Sequence, residues 1–190
     1  TRCADVTGVQ TCALPILLSL TLFRILAAPF IFISAIFLEN YWLAFWLFNI
    51  AALTDYFDGK LARTYQVESR LGAILDPIGD KLLVLFAIIT VIVFTQEIYV
   101  ALMGAFILAR EFWVSALREY ASAQNNSKAT TVTFIAKTKT TVQFIALSMY
   151  FLGSAADLAL MTFLASFVLF IAVLLALKSA IDYTQNTFVR

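Results

Sequence analysis

Four aspartates, Asp55, Asp58, Asp76 and Asp80, stand close together in the chain, with glycines at positions 59, 72 and 79 among them. If two helices joined by a short loop carry them, Asp55 and Asp58 share a face by the i, i+3 rule and Asp76 and Asp80 by the i, i+4 rule. One helical hairpin then points four carboxylates into a single cleft. Each bare Asp at mid-membrane depth costs roughly 2.5–3.5 kcal/mol on insertion scales, and four approach about 10 kcal/mol before their mutual repulsion is counted. Cations or water must therefore reach the cluster. The chain contains no histidine, so only oxygen donors are on offer, which favours hard ions such as Mg²⁺ or Mn²⁺. Two divalent ions cancel four carboxylate charges, and a paired site suits in-line displacement at phosphorus. Arg63 on the same side supplies a phosphate contact. Two other readings stay open. The acids pair with Lys60, Arg63, Arg70 and Lys81 at a membrane surface, which leaves unexplained why acids and glycines share two stripes; or they line the path of a cation channel or transporter.

The elements that must position these residues are membrane helices. With 62% hydrophobic and 13% charged residues, the 190-residue chain is too apolar for an ordinary soluble domain. At about 20 residues per span it holds an all-α bundle of about six transmembrane helices. The expected spans are 20–38, 41–62, 71–94, 98–120, 131–152 and 158–183, with Pro29 bending the first. Small residues beside the acids, Gly59 and Ala62 on the second span and Gly72 and Gly79 on the third, let two backbones approach closely.

The basic residues sort to one side. Lys60, Arg63, Arg70 and Lys81 surround the turn between spans two and three; Arg110, Arg118, Lys128, Lys137 and Lys139 surround the turn between four and five; Arg24, Lys178 and Arg190 lie near the termini. The three opposite turns hold Glu39, Glu97 and Asp157 and neither Lys nor Arg. The positive-inside rule then puts both termini and the acidic cleft in the cytoplasm. Tyr41, Trp42 and Tyr99 fall where an outer aromatic belt is expected. With a net charge of +1 and no glycine-rich phosphate loop, nothing points to nucleic acid as a partner.

Residues 1–16 differ from the rest. Val6–Ile16 reads like translated primer sequence from a sequencing library, and 1–16 is expected to be a read-through artefact, with 17–190 a single transmembrane domain. A signal peptide fits less well, because Asp5 and the polar run to Thr11 leave no apolar core before Ala13. Both cysteines, Cys3 and Cys12, fall in this stretch, so they carry no redox argument.

The pattern Asp55-x₂-Asp58-Gly59-x₂-Ala62-Arg63-x₈-Gly72-x₃-Asp76-x₃-Asp80 resembles the CDP-alcohol phosphotransferase signature at every specified position. The resemblance implies transfer of a phosphatidyl or phosphoalcohol group from a CDP-linked donor to an acceptor hydroxyl, with release of CMP. It implies that Asp55, Asp58 and Asp76 hold two divalent cations, Mg²⁺ or Mn²⁺. Asp80 would complete the metal site and take the acceptor's proton as the catalytic base. It further implies donor contacts at Thr21, Asp58, Gly59, Ala62, Arg63, Ser69 and Gly72. In one departure, Leu17-Leu18-Ser19 stand where the family usually has a Pro-Asn-like pair before Leu20-Thr21.

Within the family the likeness is greatest to the phosphatidylglycerophosphate-making branch, through Leu20–Arg24, Ala109–Glu119 and Lys137–Thr141. That branch implies CDP-diacylglycerol as donor, sn-glycerol 3-phosphate as acceptor, a place in the bacterial inner membrane and a homodimer. Arg110, Arg118, Lys137 and Lys139 are candidates for the acceptor phosphate, since Arg110 and Arg118 differ by about 80° on an ideal helix. Alternatively these bases anchor span ends at anionic lipid. Inositol phosphate, serine and phosphatidylglycerol are the competing acceptors.

Overall fold

The computed structural model describes the backbone of residues 8–65, 70–124 and 134–188, and the side chains of 19–54, 74–124 and 138–188. Among these the chain forms six helices: α1 Gly8–Ile36, α2 Tyr41–Tyr65, α3 Arg70–Thr95, α4 Ile98–Ala123, α5 Phe134–Ala155 and α6 Ala159–Phe188. Each expected span coincides with one helix. Four helices are long and apolar enough to cross a membrane, over Ser19–Ile36, Ile74–Thr95, Ile98–Ala123 and Ala159–Phe188. The apolar stretch described in α2, Tyr41–Thr54, is shorter. α5 opens on Lys137, Thr138, Lys139, Thr140, Thr141 and Gln143, which dilute its hydropathy. α1 runs unbroken through Pro29.

The burial pattern inverts that of a soluble protein. Arg24 and Lys139 are among the largest fully buried side chains, while Leu26, Phe30, Phe37, Trp46, Leu102, Phe163 and Phe167 are exposed. An apolar exterior of this extent suits lipid as the solvent. Trp42 and Tyr99 are exposed beside their turns, as expected of a belt.

The chain divides into two compact units, one ending at Thr90 and one starting at Val91. In the first, α1 packs along α2. Its buried positions are mostly small: Ala27, Ala28 and Ala35 on α1, and Ala44 and Ala51 on α2. Alanines at these spacings allow the close helix approach that replaces the hydrophobic effect in lipid. α3 meets α1 at Gly79. A Cβ there would lie 3.5 Å from Ile25 Cγ1 and 3.8 Å from Arg24 Cβ, so any larger side chain would part the two helices.

In the second unit α6 packs against both α4 and α5. α4 buries Val100, Gly104, Ile107, Arg110, Val114, Leu117 and Ala121, and α6 buries Ala165, Leu169, Ala172, Val173, Ala176, Ser179 and Tyr183. The α4 set recurs every three or four residues, and so does the α6 set apart from the adjacent pair Ala172 and Val173, the stripe of a packed helix. Val114, Leu117 and Tyr183 form one cluster with Ala180 against it. The last turn of α3 joins this unit through Phe94, whose ring centroid lies 6.0 Å from that of Phe151.

Three turns reverse the chain through residues with positive φ that are not glycine: Glu39, Gln96 and Asp157. At the last, the Leu158 amide donates to the Gly153 carbonyl at 2.8 Å, the six-to-one bond of a Schellman motif. Asn40 opens α2 by accepting the Leu43 amide on Oδ1 at 3.0 Å.

Candidate functional site

α3 places Asp76 and Asp80 one turn apart, both about half exposed, at 50% and 47%. α1 meets them with two donors. Thr21 Oγ1 donates to Asp76 Oδ1 at 2.5 Å. Arg24 donates from Nη1 to Asp80 Oδ1, and its Nη2 lies 3.5 Å from Asp76 Oδ1. Arg24 is 1% exposed, so its guanidinium is sunk between helices with its charged face on the two carboxylates. This charge-assisted contact orients acids that would otherwise repel each other.

Asp55, Asp58, Gly59, Ala62 and Arg63 fall in the last turns of α2, and Gly72 in the first turn of α3. The continuous helix puts Asp55 and Asp58 at i, i+3 as expected. Their side chains, with Ser69 and the side chain of Lys137, lie outside the described residues. No group of three or more potential ligands is assembled among the described residues. The half of the set that is described fits a hard divalent cation: two carboxylates one helical turn apart, partly open to solvent, with oxygen as the donor atom. Both described α1 contacts to Asp76 fall on Oδ1.

A second polar cluster lies in the other unit, where the C-terminal half of α4, the start of α5 and the end of α6 come together. Arg110 donates from Nη2 to Ser179 Oγ at 2.7 Å and from Nη1 to Glu111 Oε2 at 3.4 Å. Lys139, 1% exposed, donates to Glu111 Oε1. Arg118 donates from Nη2 to Tyr183 Oη at 2.7 Å, and its guanidinium carbon lies 5.0 Å from the Tyr183 ring centroid. Three of the four expected acceptor residues, Arg110, Arg118 and Lys139, thus meet in one network. Among the described residues it carries three positive charges against the one negative charge of Glu111, which Arg110 and Lys139 contact.

The same helices also bury unmet hydrogen-bonding groups. The Nε atoms of Arg110 and Arg118, and both Oε1 and Nε2 of Gln143, are buried without a hydrogen-bond partner among the described residues. Gln143 is 1% exposed and sits one turn along α5 from Lys139. A buried unmade hydrogen bond costs about 1–3 kcal/mol, a cost that a ligand oxygen or a water can relieve.

Sequence reasoning missed Arg24, Glu111, Gln143, Ser179 and Tyr183 as parts of these sites. Arg24 was legible only as a charge near a span end, because its partners lie more than fifty positions away. Gln143 carried a weak signal: an amide in an apolar helix at i, i+4 from a lysine.

Residues 14–178 match the family model for CDP-alcohol phosphatidyltransferase. Over 132 residues the chain is 41% identical to the CDP-diacylglycerol–glycerol-3-phosphate 3-phosphatidyltransferase of Escherichia coli (strain K12), an overlap covering 68% of this chain and 72% of that protein. The same figures hold for the proteins of that name from Shigella flexneri and Shigella boydii. The alternative of cation transport finds no support in these comparisons.

Proposed function

The chain belongs to the CDP-alcohol phosphatidyltransferase family, and from that premise we propose that it transfers a phosphatidyl group from CDP-diacylglycerol to sn-glycerol 3-phosphate. The products are phosphatidylglycerophosphate and CMP. The observation that carries the acceptor assignment is the gathering of Arg110 and Lys139 on Glu111 with Arg118 on Tyr183 beside them, on helices that also bury unpartnered donors. Its two surplus positive charges match a phosphate dianion, and the amide of Gln143 suits the polyol part of the same molecule. Relatives named for this donor and acceptor point the same way.

Asp55, Asp58, Asp76 and Asp80 would hold two Mg²⁺ or Mn²⁺ ions. When bound, these supply charge neutralisation at the donor's diphosphate and the departing CMP. The chain's own residues do the rest. Thr21 and Arg24 fix the Asp76 and Asp80 carboxylates. Gly59, without a side chain, lets the nucleotide approach the α2 backbone, and Ala62, Arg63, Ser69 and Gly72 complete the donor's cradle. The primary hydroxyl of glycerol phosphate attacks the lipid-bearing phosphorus, the bond from that phosphorus to the CMP oxygen breaks, and the hydroxyl proton passes to the Asp80 carboxylate. The site faces the cytoplasm, where the soluble acceptor is found, with both termini on that side.

The test is CMP release by the purified protein given CDP-diacylglycerol, Mg²⁺ or Mn²⁺, and a panel of acceptors. Glycerol phosphate should support turnover, and inositol phosphate, serine and phosphatidylglycerol should not. Buried cations that await a phosphate dianion discriminate strongly against serine, which has no phosphate, and against phosphatidylglycerol, whose diester carries a single charge; inositol phosphate, a dianion too, is the acceptor that tests the fit of the polyol part. Release with serine but not glycerol phosphate would overturn the acceptor assignment. No release with any acceptor would overturn the activity.

A further inference from the structure

We propose that Arg24 is a positioning residue whose buried charge sets both the cation affinity and the geometry of the α3 carboxylates. The inference rests on the metal-dependent reading above. Among the described residues, this guanidinium is the charged group that touches both Asp76 and Asp80. It arrives from a different helix, and it is fully buried while the acids it touches are half exposed. A surface ion pair would have both partners in water. Here the guanidinium is fixed by packing while the carboxylates it touches stay half exposed, so the pair acts as a template rather than a tether.

The contacts are selective by atom. Arg24 Nη1 engages Oδ1 of Asp80, and Arg24 Nη2 and Thr21 Oγ1 engage Oδ1 of Asp76. One oxygen of each carboxylate is thereby pinned on the α1 side, which fixes the plane of the group and the direction of its second oxygen. Hydrogen bonds of this kind orient metal ligands and are worth about 10–100-fold in affinity or activity elsewhere. Gly79 lies in the same contact, where a Cβ would sit 3.8 Å from both Arg24 Cβ and Thr21 Cγ2, so α1 and α3 are close-packed at the point where the Thr and Arg side chains reach the acids.

Charge gives the second half of the inference. A fixed positive charge beside ligands for two divalent cations opposes their binding. Arg24 therefore weakens the ions' hold while improving their placement, and its loss moves affinity and turnover in opposite directions. A residue that merely supports the fold would lower both together.

The experiment titrates Mn²⁺ alone into the full-length detergent-purified protein, by calorimetry or by the spectrum of free Mn²⁺, for wild type, Arg24→Gln, Arg24→Lys and Thr21→Val. Steady-state kinetics follow on the same preparations. Arg24→Gln should bind Mn²⁺ about tenfold more tightly, because one nearby positive charge is gone. Its kcat should fall about 10–100-fold with little change in the donor KM. Arg24→Lys should restore the wild-type Mn²⁺ affinity but not kcat, since a lysine supplies the charge without the planar fork. Thr21→Val keeps the volume and removes one bond to Asp76, so kcat should fall while Mn²⁺ affinity stays within about threefold. If Arg24→Gln does not fold, the Lys and Val variants carry the test. Unchanged Mn²⁺ affinity in Arg24→Gln, or full activity in Arg24→Lys, would overturn the proposal alone. A wild-type chain that turns over without binding Mn²⁺ would overturn the metal reading and this proposal with it.

Discussion

Replacing Glu111 by Gln removes the one carboxylate that, among the described residues, answers two buried cations. Lys139 is 1% exposed and donates to Oε1, Arg110 is buried and donates to Oε2, and Glu111 itself is only 25% exposed. Breaking a buried pair by deleting one partner costs about 3–5 kcal/mol, because the other charge stays desolvated and uncompensated. Ser179 still receives a hydrogen bond from Arg110, and the partial exposure of Glu111 admits some water. The lower end, about 3 kcal/mol, is therefore expected. The same argument makes a second substitution restorative: Lys139→Met in the Glu111→Gln background removes the stranded charge and should recover about 1–2 kcal/mol, as apolar replacements of buried ion pairs do. Reversible unfolding in mixed micelles, read by Trp fluorescence, gives all four corners of the cycle. Glycerol phosphate should stabilise Glu111→Gln more than wild type, because the dianion takes over the lost counter-charge. Stability of Glu111→Gln within about 0.5 kcal/mol of wild type would refute the claim that this carboxylate neutralises buried cations. A double variant less stable than the single would refute the charge argument in favour of packing.

Asp80→Asn should lower kcat about 10²–10⁴-fold, the span of lost general-base catalysis, while Mn²⁺ binding measured without substrate persists; undiminished turnover would remove Asp80 from that role. Arg118→Ala should raise the glycerol phosphate KM about 10–100-fold and leave the CDP-diacylglycerol KM nearly unchanged, and equal effects on both would favour an anchoring role at Tyr183. Gln143→Leu should stabilise the fold by about 1 kcal/mol, since two unmet polar atoms are removed, yet raise the acceptor KM; stabilisation with an unchanged KM would mean the amide serves no ligand. Gln96→Gly should stabilise by about 0.5–1 kcal/mol in the same unfolding assay, because glycine adopts the positive φ of 54° without strain. A loss of stability there would show that the Gln side chain matters more than the backbone angle.

How much the sequence determined by itself follows from what kind of information each feature needs. The six helices were legible because lipid forces backbone polar groups to pair within a segment, so apolar length alone reads out as helix. The acidic motif was legible for a similar reason: its spacing acts within α2 and α3, where three or four residues make one turn. Its side chains in α2 and the loop beyond fall outside the described residues, so the ligand set itself still rests on spacing and family. Arg110, Arg118 and Lys139 were legible as positive charges in excess on one side. That they form one network was not, because α6 supplies Ser179 and Tyr183 from more than sixty positions away, and Glu111 looked like an ordinary neighbour of Arg110. Arg24 shows the difference most sharply. In the sequence it is a basic residue near a span end; only the packing of α1 onto α3 at Gly79 turns it inward, buries it and sets its guanidinium against Asp76 and Asp80. Helical periodicity is a local property that a sequence carries openly, whereas the meeting of charges on different helices is decided by which faces pack.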